Sequence, residues 1–264
     1  MQRGLCFTAM AVALLAGCSA NAANTPDTPS KLQPAPRDGA AVTGLVAPFG
    51  GPPRWGYSTP APPPPLATTG NIDAALLAPN VVSDIVGTSV AFPKTSEAPE
   101  PPIPLSADSE CSALLGLNSD SYRGPEKKGH TYTAYRRSHL QDSPDNPNYV
   151  VVQEIAAYPD AKAAETVFRG VFNDTVRGCN GATVQVTGDD DKTDWRLQVG
   201  KIADARAQWR AIRLTDGDLD GWSCAHNAQY KNNVVLAATV CKHDGGGVSA
   251  VAAIAKQMAA TVPD

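Results

Sequence analysis

The stretch Trp222-Ser223-Cys224-Ala225-His226-Asn227-Ala228-Gln229-Tyr230-Lys231-Asn232-Asn233-Val234-Val235-Leu236-Ala237-Ala238-Thr239-Val240-Cys241 holds two strand-like runs around Asn232-Asn233. Asparagine tolerates a left-handed backbone, so the pair reads as the two-residue loop of a type I′ hairpin. Lys231 then faces Val234, and counting outward along both strands brings Cys224 opposite Cys241, at a non-hydrogen-bonded position. Facing α-carbons at such a position lie about 4.5 Å apart, just inside the range a disulfide accepts. The two faces of the hairpin differ. Val234, Leu236, Ala238 and Val240 point one way and are expected to enter the core. Trp222, His226, Tyr230 and Thr239 share the cysteine face, which is aromatic and polar, and are the candidates for lining a ligand groove.

Residues 131–140 and 149–158 are rich in β-branched and aromatic side chains, with the turn-rich Asp142-Ser143-Pro144-Asp145-Asn146-Pro147 between them, and read as an antiparallel pair. Pro159-Asp160 opens a helix to about Val176. Its apolar residues Ala164, Val167, Phe168, Val171 and Phe172 fall on one stripe. Strands are predicted over 182–187, 194–199 and 207–214. A last helix runs from about Val248 to Val262, buried through Val251, Ile254, Ala255, Met258 and Val262. This order predicts an α+β domain: an antiparallel sheet with two long helices packed on one face. Upstream, 72–86 suggests a short helix with a break at Pro79, and the Pro-rich stretch 93–104 reads as an ordered surface loop.

Between Ser19 and Gly70 there is too much proline and too little apolar surface to offset the entropy of ordering, so 18–69 is expected to be a disordered, semi-rigid tether. In polyproline form it reaches up to about 150 Å, at roughly 3.1 Å per residue. Ahead of it stand Arg3, an apolar run to Leu15, and Leu15-Ala16-Gly17-Cys18. The run is too short for a permanent span and reads as a secretory signal. Its last four residues resemble the lipobox of bacterial lipoproteins, which implies cleavage after residue 17 and acylation of Cys18. The competing reading is an ordinary signal peptide with a chance cysteine. Two or three acyl chains, at about 0.8 kcal/mol per buried methylene, suffice for stable anchoring.

The charge of −4 becomes −5 once Arg3 leaves, and no basic cluster stands out, so the sequence carries no footprint for nucleic acid. The N-terminal lipid is the one membrane contact expected. Of six cysteines, Cys6 leaves with the signal and Cys18 carries lipid. The remaining four, in an exported chain, imply two disulfides, for which three connectivities are open. The hairpin register selects Cys224–Cys241 and leaves Cys111–Cys179. Zinc is the competing use, but no pair has CxxC spacing.

Catalytic signatures are absent: no GxSxG, no HExxH and no phosphate-cradling glycine loop occur, and His130, His139, His226 and His243 are scattered. No catalytic residue, metal or cofactor is therefore assigned. Asp216-Gly217-Asp218-Leu219-Asp220-Gly221 reproduces half of a calcium loop, but Asn227 stands where its bidentate glutamate belongs, so an acidic turn is the simpler reading. Asp189-Asp190-Asp191 is read as a solvated turn.

The four cysteines, the Trp222-Ser223-Cys224 to Asn233-Val234-Val235 to Cys241 hairpin and the closing amphipathic helix resemble the PknH-like extracellular domain, over roughly residues 70–264. That domain is the sensor region of a mycobacterial receptor-type serine/threonine kinase and also occurs in mycobacterial lipoproteins. The resemblance implies a sheet flanked by helices, two internal disulfides and a deep cleft for an unidentified ligand; it supplies no catalytic residues. The expectation is a non-catalytic, sensor-like domain, lipid-anchored on the extracytoplasmic face of the cell membrane, that captures an envelope molecule and presents it to an envelope protein. The alternative is a structural or protein-interaction lipoprotein without a small ligand. An envelope hydrolase ranks third.

Overall fold

A computed structural model describes residues 65–104, 110–123, 131–187 and 192–264. The segment 1–17 read as a signal, Cys18, the stretch up to residue 64 read as a tether, His130 and Asp189 to Asp191 lie outside the described residues. The hairpin forms with the expected register. Strands β7 (Asp218–Lys231) and β8 (Val234–Lys242) pair Lys231 with Val234 and Cys224 with Cys241, and the latter two are bridged with α-carbons 3.9 Å apart. Cys111–Cys179 is the second bridge. The turn departs from type I′, because Asn232 takes φ 49° and Asn233 is not left-handed. Asn233 is instead held by its side chain, which is buried. Its Nδ2 donates to the carbonyls of Ala67 (2.9 Å) and Tyr158 (2.8 Å), and its Oδ1 accepts from the Ala67 amide (2.9 Å). Tertiary anchoring overrides the local turn preference, and it draws Ala67, ahead of the expected start at Gly70, into the core.

One antiparallel sheet of eight strands surrounds this hairpin, in the order β1-β2-β3-β8-β7-β6-β5-β4. On one side β8 pairs with β3 (Tyr149–Ala157), which pairs with β2 (Ala134–Gln141). Beyond β2 lies β1 (Phe92–Ser96), an edge strand within the stretch expected to be loop. Pro93 lacks an N–H, and an edge position tolerates that. On the other side of the hairpin come β6 (Arg206–Thr215), β5 (Lys192–Ala203) and β4 (Thr183–Thr187).

The helices correct the expectation of a single covered face. Helix α5 (Val248–Ala260) packs on β7 and β8 from one side, α3 (Ala161–Val171) on the same two strands from the other. The cause is visible in β8, where Val234 to Val240 are apolar at both parities apart from Thr239. Even-numbered Val234, Leu236, Ala238 and Val240 join Val251, Ile254 and Met258 under α5, while Val235 and Ala237 join Val167 and Phe168 under α3. A strand buried on both faces reads as a continuous apolar run rather than an alternation.

The helix expected over 160–176 is two. Asp160 caps α3 by accepting from the Ala163 amide at 2.8 Å, but Phe172 leaves helical geometry, and a short α4 (Asp174–Arg177) follows. Asn173 sits at the break, donating to the Gly170 carbonyl and accepting from the Val176 amide, local bonds that compete with the helix. Upstream, Pro79 divides a 3-10 turn (Ile72–Ala75) from α1 (Pro79–Val86), taking the first helical position that its missing N–H suits. A one-turn helix α2 (Ser119–Arg123) completes the α3 side. Among the described residues no helix is long and apolar enough to cross a membrane.

Candidate functional site

Helix α5 lies over β7 and β8 and leaves the same face of β5 and β6 open. Along β6, Ala207, Trp209 and Ala211 are buried on the α3 side, so Arg206, Gln208 and Arg210 face the α5 side. Two cavities adjoin there. The wider, about 570 Å³, is bounded by Lys201, Ala203, Arg206, Gln208, Lys231 and Ala260. The narrower, about 300 Å³, is bounded by Gln198, Gly200, Gln208, Arg210, Val248 and Val251. Gln208 belongs to both, so they form two lobes of one groove along α5. Gly200 keeps the floor open: a Cβ there would stand 2.8 Å from the Gln208 carbonyl oxygen, and the strand bulges between Val199 and Ile202.

Among the described residues no aspartate or glutamate borders either lobe, although the chain is acidic overall. Lys201 has no hydrogen-bond or ion-pair partner among the described residues. Arg206 spends one donor on Gln229 Oε1 (3.2 Å), and Gln229 Nε2 in turn donates to the Ala255 carbonyl (2.7 Å), fixing that amide against α5. Lys231 donates to the carbonyls of Ala259 (3.2 Å) and Val262 (2.7 Å) and pairs with the exposed Asp264 carboxylate at 2.7 Å. In the narrow lobe Arg210 Nη2 donates to Gly245 O (2.9 Å) and Ser223 Oγ (3.3 Å), while its buried Nε–H has no partner. Asn227, opposite Gln208 in the register, is buried with Oδ1 unpartnered.

The four residues singled out from the hairpin are not brought together as a set. His226 and Thr239 are cross-strand partners, with Nδ1 and Oγ1 2.9 Å apart. The imidazole stacks on the Trp209 indole, centroids 4.8 Å apart and planes 4° from parallel, and burial pushes its pKa down to about 3. Tyr230 packs on Phe168, and Trp209 on Phe172, so these rings occupy the α3 side. Tyr230 also borders the wider cavity, and Trp209 and His226 the narrower one. Trp222 stands apart, edge-on to His243 with the Arg213 guanidinium over its ring.

Asp220 is occupied by protein donors: Arg213, Thr215 Oγ1 and the Trp222 amide all bind its carboxylate. No cluster of three or more His, Cys, Asp or Glu side chains arranged to hold a metal occurs among the described residues. A buried acid escaped the sequence reading. Glu154 on β3 accepts from the Tyr135 hydroxyl at 2.6 Å, and burial raises its pKa to about 7. The groove residues Arg206, Gln208 and Arg210 escaped it too. Their signal was the polar parity of 206–210 against buried Ala207, Trp209 and Ala211, but the position of α5, which turns that face into a groove, has no local signature.

A family model described as the PknH-like extracellular domain matches residues 67–261. Among solved structures, the extracellular domain of PknH from Mycobacterium tuberculosis is similar to this chain with a TM-score of 0.63 and 22% identity, over 74% of this chain and 95% of that one. An uncharacterised protein from Mycobacterium smegmatis gives a TM-score of 0.37 at 11% identity, over 69% of this chain and 96% of its own. No curated protein sequence matches.

Proposed function

The chain belongs to the PknH-like extracellular domain family, and from that premise we propose that it is a non-catalytic, ligand-binding domain of the cell envelope, held by a lipid on Cys18 at the extracytoplasmic face of the membrane. The observation that carries this reading is the groove beside α5. Its wider lobe, about 570 Å³, lies within the roughly 300–1,000 Å³ of small-molecule sites, and polar side chains converge on it. The anchoring part rests on Leu15-Ala16-Gly17-Cys18 and on the Pro-rich stretch that follows. A structural role would call for a contiguous exposed apolar patch. Among the described residues, the large exposed apolar ones, Leu66, Phe92, Leu219 and Val248, lie on separate segments.

Native mass spectrometry of the full protein, extracted from its own host's envelope, tests both parts. The expected result is a chain starting at Cys18 with acyl mass on that residue, and a retained small molecule lost from variants of the groove. Protein that keeps residues 1–17, or that retains nothing from the envelope, would overturn the corresponding part.

A further inference from the structure

We propose that the wide lobe of the groove is an oxyanion subsite, in which Arg206 with Lys201 and Lys231 holds a carboxylate or phosphate of a small envelope ligand. This deepens the ligand-binding reading and rests on it. Three cations border one concave lobe, and among the described residues no carboxylate side chain lines its wall, in a chain whose net charge is −4. Low-dielectric walls focus such a field and select the sign of what enters. A guanidinium carries five donors, and Arg206 commits one of them, to the neutral Gln229 amide. That bond, continued to the Ala255 carbonyl, orients the planar fork, the geometry that suits two-point recognition of carboxylate or phosphate.

Lys201 has no ion-pair partner among the described residues. Lys231 already takes one carboxylate, that of Asp264, whose side chain is almost wholly exposed and so easily displaced. The narrow lobe is different. Val248 and Val251 wall it beside Gln198 and Arg210, whose Nε–H lacks an acceptor, so it suits an uncharged portion carrying an oxygen. The ligand inferred is therefore one acidic group joined to a less polar body, not a polyanion.

The test uses the full chain at low ionic strength. Inorganic phosphate and hexanoate, a single carboxylate on a short apolar chain, are titrated in separate arms by calorimetry, and vesicles of phosphatidylcholine with and without phosphatidylglycerol form a third arm. Saturable binding of at least one soluble anion or of the anionic vesicles is expected. Arg206→Gln should weaken it about tenfold, the scale of a lost charge-assisted hydrogen bond, and Lys201→Gln should weaken it less. Lys162→Gln, at an exposed lysine on α3, should leave it unchanged. Anion binding without vesicle binding identifies a soluble ligand; Arg206-dependent vesicle binding identifies a lipid headgroup. No saturable binding in any arm, or binding that Arg206→Gln leaves intact while its unfolding curve matches wild type, overturns the subsite. A neutral molecule found in protein from the envelope, and lost on Gln208→Ala but not on Arg206→Gln, would sink the oxyanion inference while leaving the ligand-binding function standing. Absence of any retained molecule would sink both.

Discussion

Two buried titratable groups on the α3 side of the sheet pull stability in opposite directions with pH, and removing either should expose the other. Burial raises the Glu154 pKa from 4.5 to about 7, so between those values the folded chain holds a proton that the unfolded chain has lost. Stability falls there as pH rises, by about 1.4 kcal/mol per unit. Burial lowers the His226 pKa from 6.5 to about 3, so between those values the unfolded chain holds the extra proton. Stability rises there with pH, by the same slope. The windows overlap from pH 4.5 to 6.5, where the two contributions cancel. Glu154→Gln keeps an acceptor for the Tyr135 hydroxyl and removes the titration. Its stability should climb across the overlap by about 2–3 kcal/mol more than that of wild type. His226→Gln should show the mirror image, falling by a similar amount from a lower baseline, because the stack on Trp209 is lost. Urea unfolding at several pH values, with both disulfides intact, measures this; taking variant minus wild type removes the background of surface carboxylates. Parallel wild-type and Glu154→Gln profiles would refute the argument, because they would mean that this carboxyl is already charged in the folded state.

Further expectations concern the framework. Replacing Cys111 and Cys179 together by serine opens a loop of sequence separation 68 and should cost about 4 kcal/mol in the chain-entropy model, against about 3 for the separation of 17 between Cys224 and Cys241; denaturant midpoints under non-reducing conditions compare the two. Asn233→Ala removes three buried hydrogen bonds and should destabilise by about 2–4 kcal/mol, with amide exchange rising at Ala67 before the rest of the domain. Gly247→Ala meets a left-handed backbone at φ 110° and a Cβ 3.1 Å from Val240 Cγ1, so it should lower the thermal midpoint and loosen the start of α5.

Register and the disulfides that follow from it were determined by sequence alone, because a two-residue loop dictates which residues face each other along the whole hairpin, and Cys224 and Cys241 are spaced to meet. The antiparallel character of the sheet and the amphipathic stripes of α3 and α5 were legible for a related reason: alternation and the helical period are local properties. What alternation does not contain is the side of the sheet that a helix chooses. Apolar β8 offers two faces of similar character, and only the packing of Phe168 against one and Met258 against the other decided that the helices would lie on both. That choice buried His226 on the hairpin's aromatic face and left the Arg206-Gln208-Arg210 row of β6 open beside α5. A groove is the space between elements distant in sequence, so its walls and its charge came only with the tertiary structure.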